Sequence, residues 1–150
     1  METTTEIKNL TELKDFTKGL KSLLVKSNHQ GATVVVLTGD LGAGKTTLVQ
    51  NLGRELGILE IMPSPTFGIM KSYTLTGEHF TSLIHMDAYR IEELSELGPL
   101  RFAELIKDSG VLLLIEWGER IMPALPKERF LLDLESGASE KRLITLSHII

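Results

Sequence analysis

The segment from Val34 to Leu48 constrains the fold of this chain more than any other stretch. An apolar, β-branched run comes first, three glycines follow within six residues, and Lys-Thr-Thr then opens an amphipathic stretch. Interpreted as strand, loop and helix, the segment fits the phosphate-binding pattern G-x-x-x-x-G-K-[ST]. The specified positions are held by Gly39, Gly44, Lys45 and Thr46. The alternative is an ordinary strand-to-helix turn that happens to be rich in glycine.

The chemistry of phosphate binding explains this spacing. Glycines allow successive backbone N–H groups to converge on an anionic phosphate, and the N-terminus of the following helix adds about half a positive charge there. Lys45 can then reach the β- and γ-phosphates, and the hydroxyl of Thr46 can coordinate Mg²⁺. The predicted nucleotide-binding residues of the loop are Gly39, Asp40, Leu41, Gly42, Ala43, Gly44, Lys45, Thr46 and Thr47.

The length and composition of the chain predict a single domain. With 150 residues, of which 42% are hydrophobic, the chain has the size of one domain with one substantial core. We therefore expect residues 1–150 to form a single P-loop domain. The absence of cysteine excludes disulfides and thiolate zinc sites, which suits a reducing compartment.

The sequence also predicts a cytoplasmic protein that does not contact a membrane. Residues 1–6 lack the basic start and apolar core of a signal peptide. The longest aliphatic runs, Val34 to Leu37 and Val111 to Ile115, are far shorter than the roughly 20 residues that a membrane helix needs. A net charge of −4 argues against autonomous binding to nucleic acid, because clustered Lys and Arg hold a phosphate backbone.

Periodicity and turn residues predict further strands and helices around the loop. The predicted helices run from Asn9 to about Lys26 and from Lys45 to about Gly57, with short helices at Ile91 to Leu97 and Pro99 to Lys107. The predicted strands are Thr3 to Lys8 at an edge, Gly68 to Leu75 and Phe80 to Asp87 as a hairpin, Val111 to Ile115 as a buried parallel strand, and Arg129 to Leu134 with Arg142 to Ser147 as an antiparallel pair.

Two carboxylates follow predicted strands. A phosphate loop needs a carboxylate on the metal side, and in this fold class it lies at the carboxyl end of a buried strand beside the loop. Glu116 is the first candidate, either to hold Mg²⁺ through water or to polarise the attacking water; the alternative is a charge that merely ends a strand. Asp87 either occupies a second metal position or caps the short helix after it.

A proline-framed loop lies between the phosphate-loop helix and the hairpin. Nucleotide switches place a loop that senses the γ-phosphate and Mg²⁺ in this position. The residues Ser64-Pro65-Thr66 occupy it here, and Thr66 is the candidate for the sensing hydroxyl. A plain proline turn accounts for the same segment.

Three other side chains near these motifs have open roles. Trp117, the sole tryptophan, either packs against a neighbouring helix, covers the nucleotide or anchors a partner. Arg90 either neutralises charge on the transferring phosphoryl group or pairs with a nearby glutamate. His85 is interpreted as a structural hydrogen-bonding residue, because phosphoryl transfer needs no imidazole here.

The sequence favours ATP over GTP. The guanine-reading pattern Asn-Lys-x-Asp of small GTPases does not occur in the chain. Small-molecule kinases share the phosphate loop but usually add an arginine-rich lid for their acceptor. The candidates for such a lid, Arg120, Lys127 and Arg129, are sparse.

Four motifs together resemble those of the TsaE family, also called YjeE, the bacterial ATPase of tRNA threonylcarbamoyladenosine synthesis. These motifs are the loop from Gly39 to Thr47, the residues Ser64 to Phe67, the residues His85 to Arg90, and Glu116-Trp117. Their order and separations match the family, and the resemblance spans about Ala32 to Arg120.

The resemblance implies an α/β fold of the P-loop type, with a mainly parallel central sheet, antiparallel strands at its margins and helices on both faces. It implies ATP or ADP and Mg²⁺ as ligands, weak ATP hydrolysis by the chain alone, and TsaD and TsaB as partners, with tRNA contacted only indirectly. It places Lys45, Asp87 and Glu116 at catalytic positions and Thr46, Asp87 and Glu116 at the metal. It also places Thr66 and Trp117 near the nucleotide.

Three functions remain open from the sequence. The first is an ATPase subunit of the tRNA-modifying assembly. The second is a small-molecule kinase, which the phosphate loop and Asp87 near Arg90 would suit. The third is a non-catalytic assembly factor, in which ATP only sets the shape of the loop from Pro63 to Phe67.

Overall fold

Strands and helices alternate along the chain. The computed structural model describes residues 1–27, 30–40, 44–63, 65, 69–137 and 141–150. The elements are β1 (Glu2–Ile7), α1 (Leu10–Lys26), β2 (Thr33–Gly39), α2 (Lys45–Glu55), β3 (Met70–Thr74), β4 (Ser82–Asp87), a 3-10 segment (Leu94–Leu100), α3 (Phe102–Leu105), β5 (Val111–Glu116), a second 3-10 segment (Gly118–Ala124), β6 (Arg129–Ser136) and β7 (Arg142–Ile149).

These strands form one mixed sheet of seven strands in the order β1-β7-β6-β2-β5-β4-β3. The central strands β4, β5, β2 and β6 are parallel to one another. At the margins, β3 pairs antiparallel with β4, while β7 pairs antiparallel with β6 and with β1. The predicted fold class is therefore confirmed: the sheet is parallel at its centre and antiparallel at its margins.

Helical elements cover both faces of this sheet, because alternate residues of a strand point to opposite sides. From β2, Val35 and Leu37 pack with α1 and α2 in one apolar cluster. Val34 and Val36 pack on the other face with Phe102 of α3 and with the two 3-10 segments. The uninterrupted apolar runs of β2 and β5 are thus explained by burial on both faces.

The helix boundaries follow from local chemistry. The side chain of Asn9 accepts a hydrogen bond of 2.9 Å from the backbone N–H of Glu12, which satisfies one of the free donors at the start of α1. After α2, Gly57 has a φ of 93°, as expected for a glycine that ends a helix. Both helices therefore begin and end close to their predicted bounds.

The short helices between β4 and β5 differ from the prediction. The first is a 3-10 segment that encloses Pro99, which was expected at a helix start, and α3 is only four residues long. The described part of the chain has no helix with the length and apolar character needed to cross a membrane.

Candidate nucleotide site

The predicted phosphate loop lies between the end of β2 and the start of α2, and a glycine with positive φ stands at each boundary. Gly39 has a φ of 141°, and a Cβ there would collide with the carbonyl oxygen of Leu134, its register partner on β6. Gly44 precedes α2 with a φ of 97°, in the left-handed region that favours glycine. Leu41, Gly42 and Ala43, which are also predicted to bind phosphate, lie outside the described residues.

Lys45, the first residue of α2, is buried. Its Nζ donates a hydrogen bond of 2.8 Å to the carbonyl oxygen of Gly39. The same ammonium lies 5.0 Å from the centroid of the Trp117 ring, within the range of a cation–π contact. The lysine is therefore folded back towards the end of β2 and held there by a carbonyl and an indole.

The other predicted residues around the loop differ in their exposure. Thr46 is half-buried in the first turn of α2, whereas Asp40 and Thr47 are exposed. A metal ion bound by the Thr46 hydroxyl would therefore lie at the N-terminus of α2. The helix dipole favours the anionic phosphates at the same place.

Trp117 follows β5 in a left-handed backbone conformation, with φ 61° and ψ 35°. Only a few per cent of non-glycine residues adopt this region, so the position is a strained one. Its half-buried ring lies 5.0 Å from the ring of Tyr89, which in turn lies 5.0 Å from the guanidinium of Arg120. The tryptophan thus connects the lysine of the phosphate loop with two exposed side chains.

Glu116, the last residue of β5, is buried beside the end of β4. Its register partners are Leu37 on β2 and Asp87 on β4, so the two predicted acidic residues end adjacent parallel strands. The Glu116 Oε2 atom lies 2.7 Å from the Nε2 atom of His85, which is fully buried. This contact gives His85 the hydrogen-bonding role that the sequence analysis proposed for it.

Asp87 is half-buried and bonds within its own turn. Its Oδ1 atom accepts a hydrogen bond of 2.9 Å from the backbone N–H of Tyr89. This contact is the local, turn-stabilising bond expected for an aspartate after a strand. The bond occupies one carboxylate oxygen, and the position of Asp87 opposite Glu116 keeps its side chain at the same edge of the sheet.

Among the described residues, no three His, Asp or Glu side chains are grouped closely enough to form a metal site by themselves. Mg²⁺ is usually bound through one or two carboxylates together with substrate phosphates and water. Thr46, Asp87 and Glu116 carry hard oxygen donors of the kind that such a site uses, so their donor chemistry fits Mg²⁺.

The segment just before the predicted switch loop is hydrogen-bonded to α2. The Gln50 amide donates a 3.3 Å hydrogen bond to the carbonyl oxygen of Met62, whose buried side chain fills the space above Gly53. Pro65 is also buried. Ser64, Thr66 and Phe67 of this loop lie outside the described residues.

A cavity of about 380 Å³ adjoins Gly44 and Thr47 and was missed by the sequence analysis. One wall is apolar and consists of Ile7, Leu10, Leu13, Leu134 and Ile144. Asn9 and Arg142 supply polar groups, and a Cβ on Gly44 would lie 3.6 Å from the Arg142 Nε atom. The lining residues come from several separate elements, so no local sequence pattern marks the cavity.

The mixed sheet, together with a glycine-framed loop between β2 and α2 and acidic residues at the ends of β4 and β5, defines an α/β protein of the P-loop nucleotide-binding class. The sequence model of one family, described as "Threonylcarbamoyl adenosine biosynthesis protein TsaE", matches residues 7–144. The chain belongs to the TsaE family, whose members take part in tRNA threonylcarbamoyladenosine biosynthesis.

Individual relatives agree with this assignment. The tRNA threonylcarbamoyladenosine biosynthesis protein TsaE of Bacillus subtilis is 40% identical over 116 residues, which cover 77% of this chain and 70% of that protein. The protein of the same name from Rickettsia bellii is 33% identical over 142 residues, covering 91% of this chain and 89% of that one. The crystal structure of Bacillus subtilis YdiB aligns with a TM-score of 0.73 and 31% identity, covering 100% of this chain and 87% of YdiB.

Proposed function

We propose that this chain is an ATP-binding, Mg²⁺-dependent ATPase that supports synthesis of N6-threonylcarbamoyladenosine in tRNA. The observation that carries the proposal is the position of Glu116. This buried carboxylate ends the strand next to β2, and β2 leads directly into the phosphate loop. A buried acid beside a phosphate loop is what ATP hydrolysis requires on the metal side of the nucleotide.

Each of four residues of the chain has its own proposed role in hydrolysis. Lys45 would leave the carbonyl of Gly39 and bind the β- and γ-phosphates, while the Thr46 hydroxyl would hold the metal ion. Glu116 would orient the attacking water, and Asp87 would bind the metal side through its second carboxylate oxygen. When bound, Mg²⁺ would neutralise the charge that develops on the phosphate oxygens.

The cavity beside Gly44 is the proposed site for the adenine nucleoside. Its volume of about 380 Å³ lies within the range of small-molecule sites, and an apolar wall with a few polar groups suits a purine base. Arg142 lies at the boundary between this cavity and the N-terminus of α2, where a cationic group favours an anionic phosphate.

Other proteins of the same biosynthetic system are proposed to stimulate the hydrolysis, and TsaD and TsaB are the proposed partners. In the structure the Lys45 ammonium donates one of its three N–H groups to Gly39 and lies over the ring of Trp117, and both contacts compete with phosphate for the cation. This competition supports weak hydrolysis by the chain alone. The net charge of −4 disfavours direct binding to the phosphate backbone of tRNA, which supports an indirect role for tRNA. Because the proposed process modifies tRNA, the proposed location is the cytoplasm.

A titration of the chain with TsaD and TsaB tests the proposal. Phosphate release from ATP is measured for the chain alone and at increasing concentrations of the pair, with and without Mg²⁺. We expect slow release that depends on Mg²⁺ and rises to saturation with the pair. Release that is independent of the pair would remove the partner assignment, and formation of a phosphorylated metabolite in a cell extract would favour a small-molecule kinase.

A further inference from the structure

His85 is a fully buried histidine that uses only one of its two ring nitrogens. Its Nε2 atom contacts Glu116, while its Nδ1 atom is buried and has no hydrogen-bond partner. A buried polar atom without a partner costs about 1–3 kcal/mol. Such an atom is rare in native structures and calls for an explanation.

Packing does not explain this histidine. It lies on β4 opposite Leu114, and the nearby positions on the same face of β4 and β5 are Leu83 and Leu112, both fully buried in the apolar cluster under α1 and α2. A leucine at position 85 would suit these neighbours and would leave no unpaired nitrogen. The reason for an imidazole here must therefore lie in the contact that its other nitrogen makes.

That contact restrains Glu116. At 2.7 Å a proton must lie between Nε2 and Oε2, because two bare acceptors would repel one another at this distance. Within the described residues, it is the only hydrogen bond found for the Glu116 side chain. A glutamate has several rotatable bonds, so fixing one carboxylate oxygen also fixes the direction of the other.

We propose that His85 is a positioning residue for Glu116: its Nε2 group fixes one carboxylate oxygen and directs the second towards the water and metal ion of ATP hydrolysis. The inference rests on the proposed ATPase function and extends it by assigning a role to a buried side chain to which the proposed hydrolysis gives none. Hydrogen-bonding partners of this kind typically change activity by about 10- to 100-fold when they are removed.

Two substitutions separate positioning from packing. His85→Leu fills the core without a donor, and His85→Gln retains an N–H group near the position of Nε2. ATP hydrolysis in the presence of TsaD and TsaB is measured for both variants and for the wild type. The KM for ATP, nucleotide binding and the melting temperature are measured for the same proteins.

We expect His85→Leu to lower kcat by about 10- to 100-fold. The KM for ATP should stay within about twofold of the wild type, because the phosphate loop is untouched. The melting temperature should stay the same or rise, because the unpaired nitrogen is gone. His85→Gln should recover most of kcat. In a Glu116→Gln background, His85→Leu should cause little further loss, since it acts through that carboxylate.

Three results would overturn the inference while leaving the ATPase proposal intact. The first is an unchanged kcat in His85→Leu, and the second is a fall in both kcat and melting temperature that is as large in His85→Gln as in His85→Leu. The third is a loss of kcat on adding His85→Leu to Glu116→Gln that is as large as the loss in the wild-type background. A wild type that releases no phosphate with any partner would instead overturn the proposed function. The two failures are therefore distinguishable in one set of measurements.

Discussion

The ammonium of Lys45 lies over the ring of Trp117, 5.0 Å from the centroid of the indole. The same ammonium donates to the carbonyl of Gly39. The carbonyl occupies one of the three N–H donors of the ammonium, so a bound triphosphate competes with these two contacts for the cation, and we expect the indole contact to be exchanged for contacts with phosphate oxygens. A change in the contact between Lys45 and Trp117 is therefore an expected sign of nucleotide binding.

Intrinsic fluorescence should report that exchange directly. Trp117 is the sole tryptophan of the chain, so its emission is not masked by any other indole. Departure of the Lys45 ammonium changes the electrostatic environment of the ring, and we expect a saturable change in emission when ATP and Mg²⁺ are added. Emission that stays constant under saturating ATP, with binding verified independently, would contradict the exchange.

Lys45→Met should remove nucleotide binding with little effect on folding. Methionine retains an apolar side chain at the buried position but has no charge for the phosphates. We expect the affinity for ATP to fall by at least about 10-fold, since a charged hydrogen bond contributes about 1.5–3 kcal/mol. Isothermal titration measures the affinity, and Lys18→Met, which changes an exposed lysine of α1, is the matched control. Equal affinities in the two variants would contradict the role of Lys45.

Gly39→Ala should destabilise the fold at the loop. The new methyl group would collide with the backbone oxygen of Leu134, and the φ of 141° is unfavourable for alanine. We expect a loss of about 2 kcal/mol or more in the free energy of unfolding, measured by urea denaturation. Gly19→Ala is the control, because a Cβ there meets nothing within 4 Å and α1 should gain up to about 1 kcal/mol. Similar values for the two variants would contradict the steric argument.

The parts of the site that the sequence predicted are those determined by local pattern. Gly39, Gly44, the start of α2 and the apolar run that ends in Glu116 each depend on neighbouring residues only, and the structure has the predicted strands and helix at these positions. The strand ends and the resemblance of the motifs also predict which side chains lie at this edge of the sheet, and Asp87 and Glu116 are register partners there.

The contacts between these side chains depend on strand register and on unusual backbone angles, which short sequence patterns do not specify. The bond between His85 and Glu116 requires β4 and β5 to be aligned in one particular register. The contact between Lys45 and Trp117 requires a left-handed residue directly after β5. The cavity lined by Asn9 and Arg142 combines residues from opposite ends of the chain.

The 3-10 segment between β4 and α3 should weaken in acid. Backbone N–H groups of Glu93 and Glu92 bond to the Glu96 carboxylate and lower its pKa below the ordinary glutamate range. Because the folded-state pKa is the lower one, the stabilisation is complete above the unfolded pKa of about 4.3 and is lost as the pH falls through the folded value.

Glu96→Gln should therefore be less stable than the wild type at pH 7, and the difference should shrink below about pH 4.3. Urea denaturation at several pH values measures the effect. Glu104→Gln, which alters an exposed glutamate of α3, is the control and should show a smaller difference. A difference for Glu96→Gln that does not change with pH would contradict the carboxylate contact.

Glu116→Gln should separate nucleotide binding from hydrolysis. Glutamine has nearly the same shape and its amide oxygen can still accept a hydrogen bond from Nε2 of His85, so the packing between β4 and β5 should be retained. An amide is a poor base and a poor metal ligand, so we expect kcat for phosphate release to fall by about 100-fold or more while ATP binding is kept. Glu119→Gln, in the 3-10 segment after Trp117, changes an exposed glutamate and is the matched control.

Cellular levels of threonylcarbamoyladenosine in tRNA, measured in cells that carry Glu116→Gln, then decide whether turnover of ATP is needed. Loss of the modification together with hydrolysis would support the ATPase, whereas full modification without hydrolysis would mean that ATP only shapes the protein for assembly.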